Sequence, residues 1–167
     1  ERRVNGFNSL FATSSIKAAR AYYQEFKRQQ ADLPEARRLS VGIIYSYAPN
    51  AEAPGTGLLS EESMDPSALS QDDRAFLDEA IADYNQQFGA SFGTDASGFE
   101  GYYTSLSTAL AERRIDLVIV VDMFLTGFDS KSLNTLWVDK NLRAHGLIQA
   151  FSRTNRILNS VKTFGNI

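Results

Sequence analysis

The stretch "LIQAFSRTNR" (147–156) carries Gln149, Arg153 and Arg156 at positions i, i+4 and i+7. On a helix those positions share one face, so all three side chains can address one ligand. Two guanidiniums converging on one edge repel each other unless an anion lies there. Arginine offers planar, multidentate recognition of phosphate, and it can stabilise the charge that develops in phosphoryl transfer. The plain alternative for such an array is a solvated basic face. A second candidate is "VDMFLTGFD" (121–129), where Asp122 and Asp129 bracket a loop and Gly127 allows close backbone approach. Its plain alternative is a turn with a helix-capping Asp.

These residues need elements to hold them. "NSLFAT" (8–13) reads as a short buried strand, and Ser14 or Ser15 can cap the helix that follows. Ile16, Ala19, Tyr23 and Phe26 recur at helical spacing, which predicts an amphipathic helix over about 15–29. Pro34 breaks the chain, and "LSVGIIYSY" (39–47) reads as a second strand. Residues 48–69 are rich in Pro, Gly and small polar residues and read as loop. Ser70 with Asp73 resembles a capping box, and Leu77, Ile81, Tyr84 and Phe88 mark the helix face behind it. Phe99, Tyr103, Leu106 and Leu110 mark another helix.

"DLVIVV" (116–121) is a continuous apolar run, as expected of a strand buried on both faces in a parallel sheet. "TLWVD" (135–139) reads as a further strand with Trp137 in the core, 145–157 as a helix entered near His145, and 162–167 as the start of a strand. The alternation predicts an α/β fold, a mostly parallel sheet flanked by helices. Ligands of such sheets bind at the carboxyl ends of the strands, which is where the loop after 121 begins.

The composition fits one domain of ordinary size: 167 residues, 43% hydrophobic and 22% charged. The net charge of −3 conceals a segregation. Residues 48–100 hold eleven acidic residues and one basic residue, Arg74, while the remainder holds sixteen basic and nine acidic. The basic body favours a polyanionic partner. The acidic block is expected to be an insertion, either a solvated one or a contact surface for another domain or subunit.

Zero cysteines exclude disulfides and thiolate metal sites and suit a reducing cytoplasm, the expected location. One histidine excludes a His-rich metal site, and no metal site is expected in this chain. No apolar run approaches the roughly 18 residues of a membrane span, and no membrane partner is expected. The opening Glu1-Arg2-Arg3 does not read as a signal peptide. Without an initiator Met, and ending on "TFGNI", the chain is expected to be cut from a longer protein. There is no GxxxxGK[ST] phosphate loop, no Walker-B acidic pair and no Ser-His-Asp pattern. Candidate arginine fingers without a phosphate loop suggest half of a two-lobed nucleotide motor.

Three of these stretches together resemble the second RecA-like lobe of superfamily-2 helicases and translocases. "NSLFATSSIKAARAYYQEF" looks like motif IV and its helix. "LVIVVDMFLTGFD" looks like motif V, with Thr126 in place of an Arg, and "QAFSRTNRI" like motif VI, whose pattern is Gln-x3-Arg-x2-Arg. The wording from Val120 to Arg156 is similar to the motor (R) subunit of type I restriction enzymes. That likeness covers 5–28 and 100–167 well and 48–99 less specifically. Val121 stands where many helicases carry Thr, and Ser152 and Asn155 stand where many carry Gly.

The resemblance implies a single RecA-like lobe over 1–167 with the acidic insertion at 48–100. It implies ATP and Mg²⁺ held mainly by an absent first lobe, with Arg153 and Arg156 facing the γ-phosphate and Arg156 the preferred finger. Gln149 would position the nucleotide or relay its state, and Gly127 and Asp129 would lie at its edge, Asp129 near the ribose. Thr126, Ser14 and Ser15 would meet the DNA backbone, the serines through hydroxyls and N–H groups at a helix start. The implied partners are double-stranded DNA, the first lobe and nuclease domain of the same chain, and the methyltransferase and specificity subunits of the restriction complex. The parent would be a DNA-dependent ATPase and site-specific deoxyribonuclease; this stretch alone would be inactive. A remodeller-like or repair translocase without a nuclease, or a non-motor α/β binding domain, are the alternatives.

Overall fold

A computed structural model describes residues 7–45, 69–121, 123, 130–141, 148, 151–155, 162 and 165–167. Among the described residues four strands form one sheet: β1 (Asn8–Thr13), β2 (Val41–Tyr45), β3 (Leu117–Val121) and β4 (Leu133–Asp139). Their spatial order is β2-β3-β1-β4 and every pairing is parallel. They are accompanied by the helices α1 (Ile16–Gln30), α2 (Gln71–Phe88) and α3 (Ala96–Ala111), with a short 3-10 turn at Glu35–Arg37. This is the expected α/β architecture, consistent with a RecA-like α/β fold. No helix among the described residues is long and apolar enough to cross a membrane.

Strand register assigns the faces. Phe11 pairs with Ile119, and Ile119 with Ile43, so these three side chains share a face. Phe11 packs its ring 4.6 Å from that of Tyr22, which puts α1 on that side. Gly42 and Val118 belong to the opposite face, where a Cβ on Gly42 would meet Leu106 of α3 at 2.8 Å. The sheet therefore lies between α1 and α3. α2 bridges the two layers beside β2. Its Phe76 meets Tyr23 of α1 edge-on at 5.9 Å, and its Tyr84 meets Tyr102 of α3 at 5.1 Å. All five residues of β3 are buried, as a central parallel strand requires, each burial contributing roughly 1.5–3 kcal/mol.

Helix ends follow local chemistry. Ser15 is the N-cap of α1, its hydroxyl accepting the Ala18 N–H at 3.2 Å. Ser70 caps α2 through the Asp73 N–H, while its own hydroxyl donates to the Asp73 carboxylate at 2.7 Å. Only half of the capping box forms, because Asp73 is turned to the Ser70 hydroxyl and to Arg20. Gly89, at φ 65°, closes α2 in the left-handed conformation. The acidic block is helical and structural from Leu69 onward: Phe76, Leu77, Ile81, Tyr84 and Phe99 are core residues. Several of its carboxylates answer the basic face of α1. Asp73 pairs with Arg20 at 3.2 Å, and Asp83 with Lys27 at 2.6 Å.

Two expectations past β3 are overturned. Trp137 is 58% exposed rather than core. It shares a row with Phe11, but α1 shields Phe11 and leaves β4 open beyond it, so Trp137 lines a groove with Phe11, Tyr22 and Phe26. The helix expected over 145–157 is helical at Ile148, Phe151 and Ser152, and gives way to a turn at Arg153 and Thr154. Ser, Thr and Asn in this stretch are weak helix formers, and Thr154 is fully buried, with its carbonyl and side chain packed against Gly165. The strand start expected at 162–167 is present as a parallel bridge from Asn166 to Thr135.

Candidate functional site

Because all four strands are parallel, their carboxyl ends emerge along one edge. Register aligns Thr13 with Asp139, and Tyr45 with Val121. Thr13 is fully buried there, and its hydroxyl donates to the Val120 carbonyl at 3.2 Å, joining the ends of β1 and β3. Ser14 and Ser15 follow at once and are exposed. The first N–H groups of α1 thus open on this edge, carrying the positive end of the helix dipole. The Ser15 hydroxyl oxygen already accepts from the helix, so toward any ligand it offers its O–H. At the end of β4, Tyr22 donates to Asp139 at 3.0 Å, and this carboxylate raises the Tyr22 pKa. At the end of β2, the Tyr45 hydroxyl donates to the Asp73 carbonyl at 2.7 Å, so α2 closes that corner.

Arg153 is half-buried in the turn that ends the helical stretch at Phe151 and Ser152. The next residue, Thr154, is fully buried. The i, i+4, i+7 face assumed for Gln149, Arg153 and Arg156 therefore does not continue as helix through Arg153.

Comparison with known proteins bears on these elements together. The model of the family described as type I restriction enzyme subunit R domain 3 matches residues 5–167. This chain belongs to that family. The type I restriction enzyme SauMRSORF196P endonuclease subunit of Staphylococcus aureus (strain MRSA252) is 40% identical over 167 residues, 99% of this chain and 17% of the relative. The SsaAORF53P endonuclease subunit of Staphylococcus saprophyticus is 42% identical over the same shares of each chain. A putative MpnIIP endonuclease subunit, N-terminal part, from Mycoplasma pneumoniae is 73% identical over 45 residues, 27% of this chain and 12% of the relative. The chain thus spans about a sixth of the length of the curated relatives that it matches over nearly its whole length.

In this subunit R domain 3, the edge brings together Ser14, Ser15 and the ends of β3 and β4. Gln149, Arg156, Thr126, Gly127 and Asp129 lie outside the described residues, as do Asp122 and His145. Thr13 was legible only as a strand residue; the signal available was a hydroxyl at the last position of an apolar strand. Thr154 carried no signal in the sequence beyond its place between the two arginines.

Proposed function

We propose that this subunit R domain is the second motor lobe of an ATP-dependent double-stranded DNA translocase within a type I restriction endonuclease. One observation carries the proposal. In an all-parallel sheet, the segments that follow β1, β3 and β4 all leave from the same carboxyl edge, and these are the segments with motif-like spacing. The exposed Ser14 and Ser15 open that edge beside the end of β3.

The donor set suits a nucleotide triphosphate shared with another lobe. Arg153 and Arg156 would meet the γ-phosphate, Gln149 would orient the nucleotide, and Gly127 and Asp129 would border it. ATP supplies the phosphoryl group whose transfer drives the motor. Fixed guanidinium charge aimed at developing negative charge lowers the barrier without reorganisation at the moment of reaction. The Mg²⁺ ligands would lie on the first lobe, as the resemblance to superfamily-2 motors implies. Ser14, Ser15 and Thr126 would hold DNA phosphates through hydroxyl and N–H groups, contacts that grip the backbone without reading sequence. The parent would work with its nuclease domain and with methyltransferase and specificity subunits in the cytoplasm.

The test is duplex-DNA-stimulated ATPase of the full-length R subunit assembled with its partners. Arg153→Ala and Arg156→Ala are each expected to lower kcat by roughly 10³-fold or more, with folding intact. An unchanged rate in both would make the array a solvated basic face and overturn the proposal. The 167-residue domain alone should hydrolyse no ATP and bind duplex DNA weakly and salt-sensitively.

A further inference from the structure

We propose that Gly165 is a positioning residue for Arg153. The inference rests on the reading of Arg153 as an arginine that meets the nucleotide, and its geometry is independent of that reading. Thr154, the neighbour of Arg153, is fully buried, and Gly165 lies directly against it. A Cβ on residue 165 would fall inside contact distance of the Thr154 carbonyl oxygen and Cβ, and 2.6 Å from its Oγ1. Two of those three atoms are backbone or fixed to it, so no rotamer change relieves the clash. Only glycine permits this approach.

The segment that carries Gly165 is pinned on both sides. Asn166 accepts the Leu136 N–H at 3.0 Å and donates to the Asn134 carbonyl at 2.8 Å. Lys162 is 2% exposed, and its ammonium donates to the Lys131 carbonyl at 3.3 Å and to that of Leu133. Both anchors are on β4 or the residues leading into it. Gly165 is thus held to the sheet, and Thr154 is the partner that must give way to any added bulk. On the other side, the Thr154 hydroxyl donates to the Phe151 carbonyl at 3.4 Å, tying the turn to the helical end before it. The turn that bears Arg153 is set by contact with a strand start registered on β4. The sheet therefore bears on the turn of the arginine through a glycine.

Displacing an arginine that acts at the transition state lowers kcat more than it alters ATP affinity. A misplacement near 1 Å can cost about 10²-fold. In the full-length R subunit, assembled and stimulated by duplex DNA, Gly165→Ala is expected to lower kcat at least about tenfold, with KM for ATP within about twofold. Arg153→Ala and the double variant complete a cycle. If Gly165 acts through Arg153, then Gly165→Ala adds little once Arg153 is alanine.

Thr154→Ala removes the packed side chain against Gly165; it should lower kcat relative to the unsubstituted subunit, and that loss should vanish in the Arg153→Ala background, whereas an unchanged kcat or a fully additive loss would overturn the positioning role. This second variant decides the matter if Gly165→Ala fails to fold. Full additivity, or an unchanged kcat in folded Gly165→Ala, would overturn the positioning role. An unchanged kcat in Arg153→Ala would overturn the nucleotide reading of that arginine, a separate result.

Discussion

At the residue scale, burial separates side chains that spacing treats alike. Tyr102 and Tyr103 are adjacent on α3; the spacing read with Phe99, Leu106 and Leu110 takes Tyr103 into the buried face, an expectation the fold overturns, since Tyr102 fits the same repeat. The fold buries Tyr102 completely and leaves Tyr103 half-covered. The Tyr102 hydroxyl donates to the Ile43 carbonyl at 2.7 Å, a tie from helix to sheet made possible because Gly42 leaves room for α3. Tyr102→Ala should cost about 3–5 kcal/mol, as other buried aromatic truncations do. Tyr102→Phe, which loses only the hydrogen bond, should cost about 1 kcal/mol. Urea unfolding of both variants beside Tyr103→Ala provides the check. A Tyr103→Ala cost equal to that of Tyr102→Ala would show that α3 is packed on a different face. Trp137 makes the same point in reverse: its size suggested core, but burial depends on what stands over β4.

At the element scale, caps and charge pairs hold the acidic helix against the basic one. Ser70 satisfies the Asp73 N–H of α2, so Ser70→Ala should destabilise the domain by about 1 kcal/mol, and Ser70→Gly by only a few tenths. Thermal unfolding of the two variants tests that ranking; equal losses would mean that the side-chain cap contributes nothing. The elements were largely legible because each carried its own period or cap. β1 stands at the expected 8–13 and β3 within the expected 116–121. What periodicity could not give was the partner of each carboxylate. Eleven acids in one block read as an insertion, either solvated or turned to another domain or subunit, and Asp73 and Asp83 instead face Arg20 and Lys27 across more than fifty residues of the same chain. The end of the helix before Arg153 was equally hidden, since Thr154 is buried against Gly165, a contact eleven residues away that no local pattern encodes. For the candidate site, the order of motif-like segments could be read from the chain, and their common edge needed the strand order β2-β3-β1-β4.

At the scale of the whole molecule, buried tyrosines set an alkaline limit to the fold. Burial raises the pKa of Tyr23, with the Asp83 charge adding to it. Burial likewise raises those of Tyr45, where Asp73 contributes, and of Tyr102. All three hydroxyls stay protonated in the folded domain where an unfolded chain would lose the proton, above its ordinary pKa of 10.0. A raised folded pKa means stability that is complete below the unfolded value and is lost as pH rises past it.

Each tyrosine then removes about 1.4 kcal/mol per pH unit, so the three together remove about 4 kcal/mol per unit. Lys162 has the opposite sign: desolvation lowers its pKa, so its burial costs less as pH approaches the ordinary 10.5, and it offsets part of the loss only up to that point. A domain stable by about 5–15 kcal/mol should therefore unfold within a few pH units above 10. Far-UV circular dichroism and tyrosinate absorbance, followed together from pH 8 upward, should change cooperatively for the buried tyrosines. Tyrosinate signal from all seven tyrosines well before any loss of helix would mean that Tyr23, Tyr45 and Tyr102 are not held in the buried interfaces described.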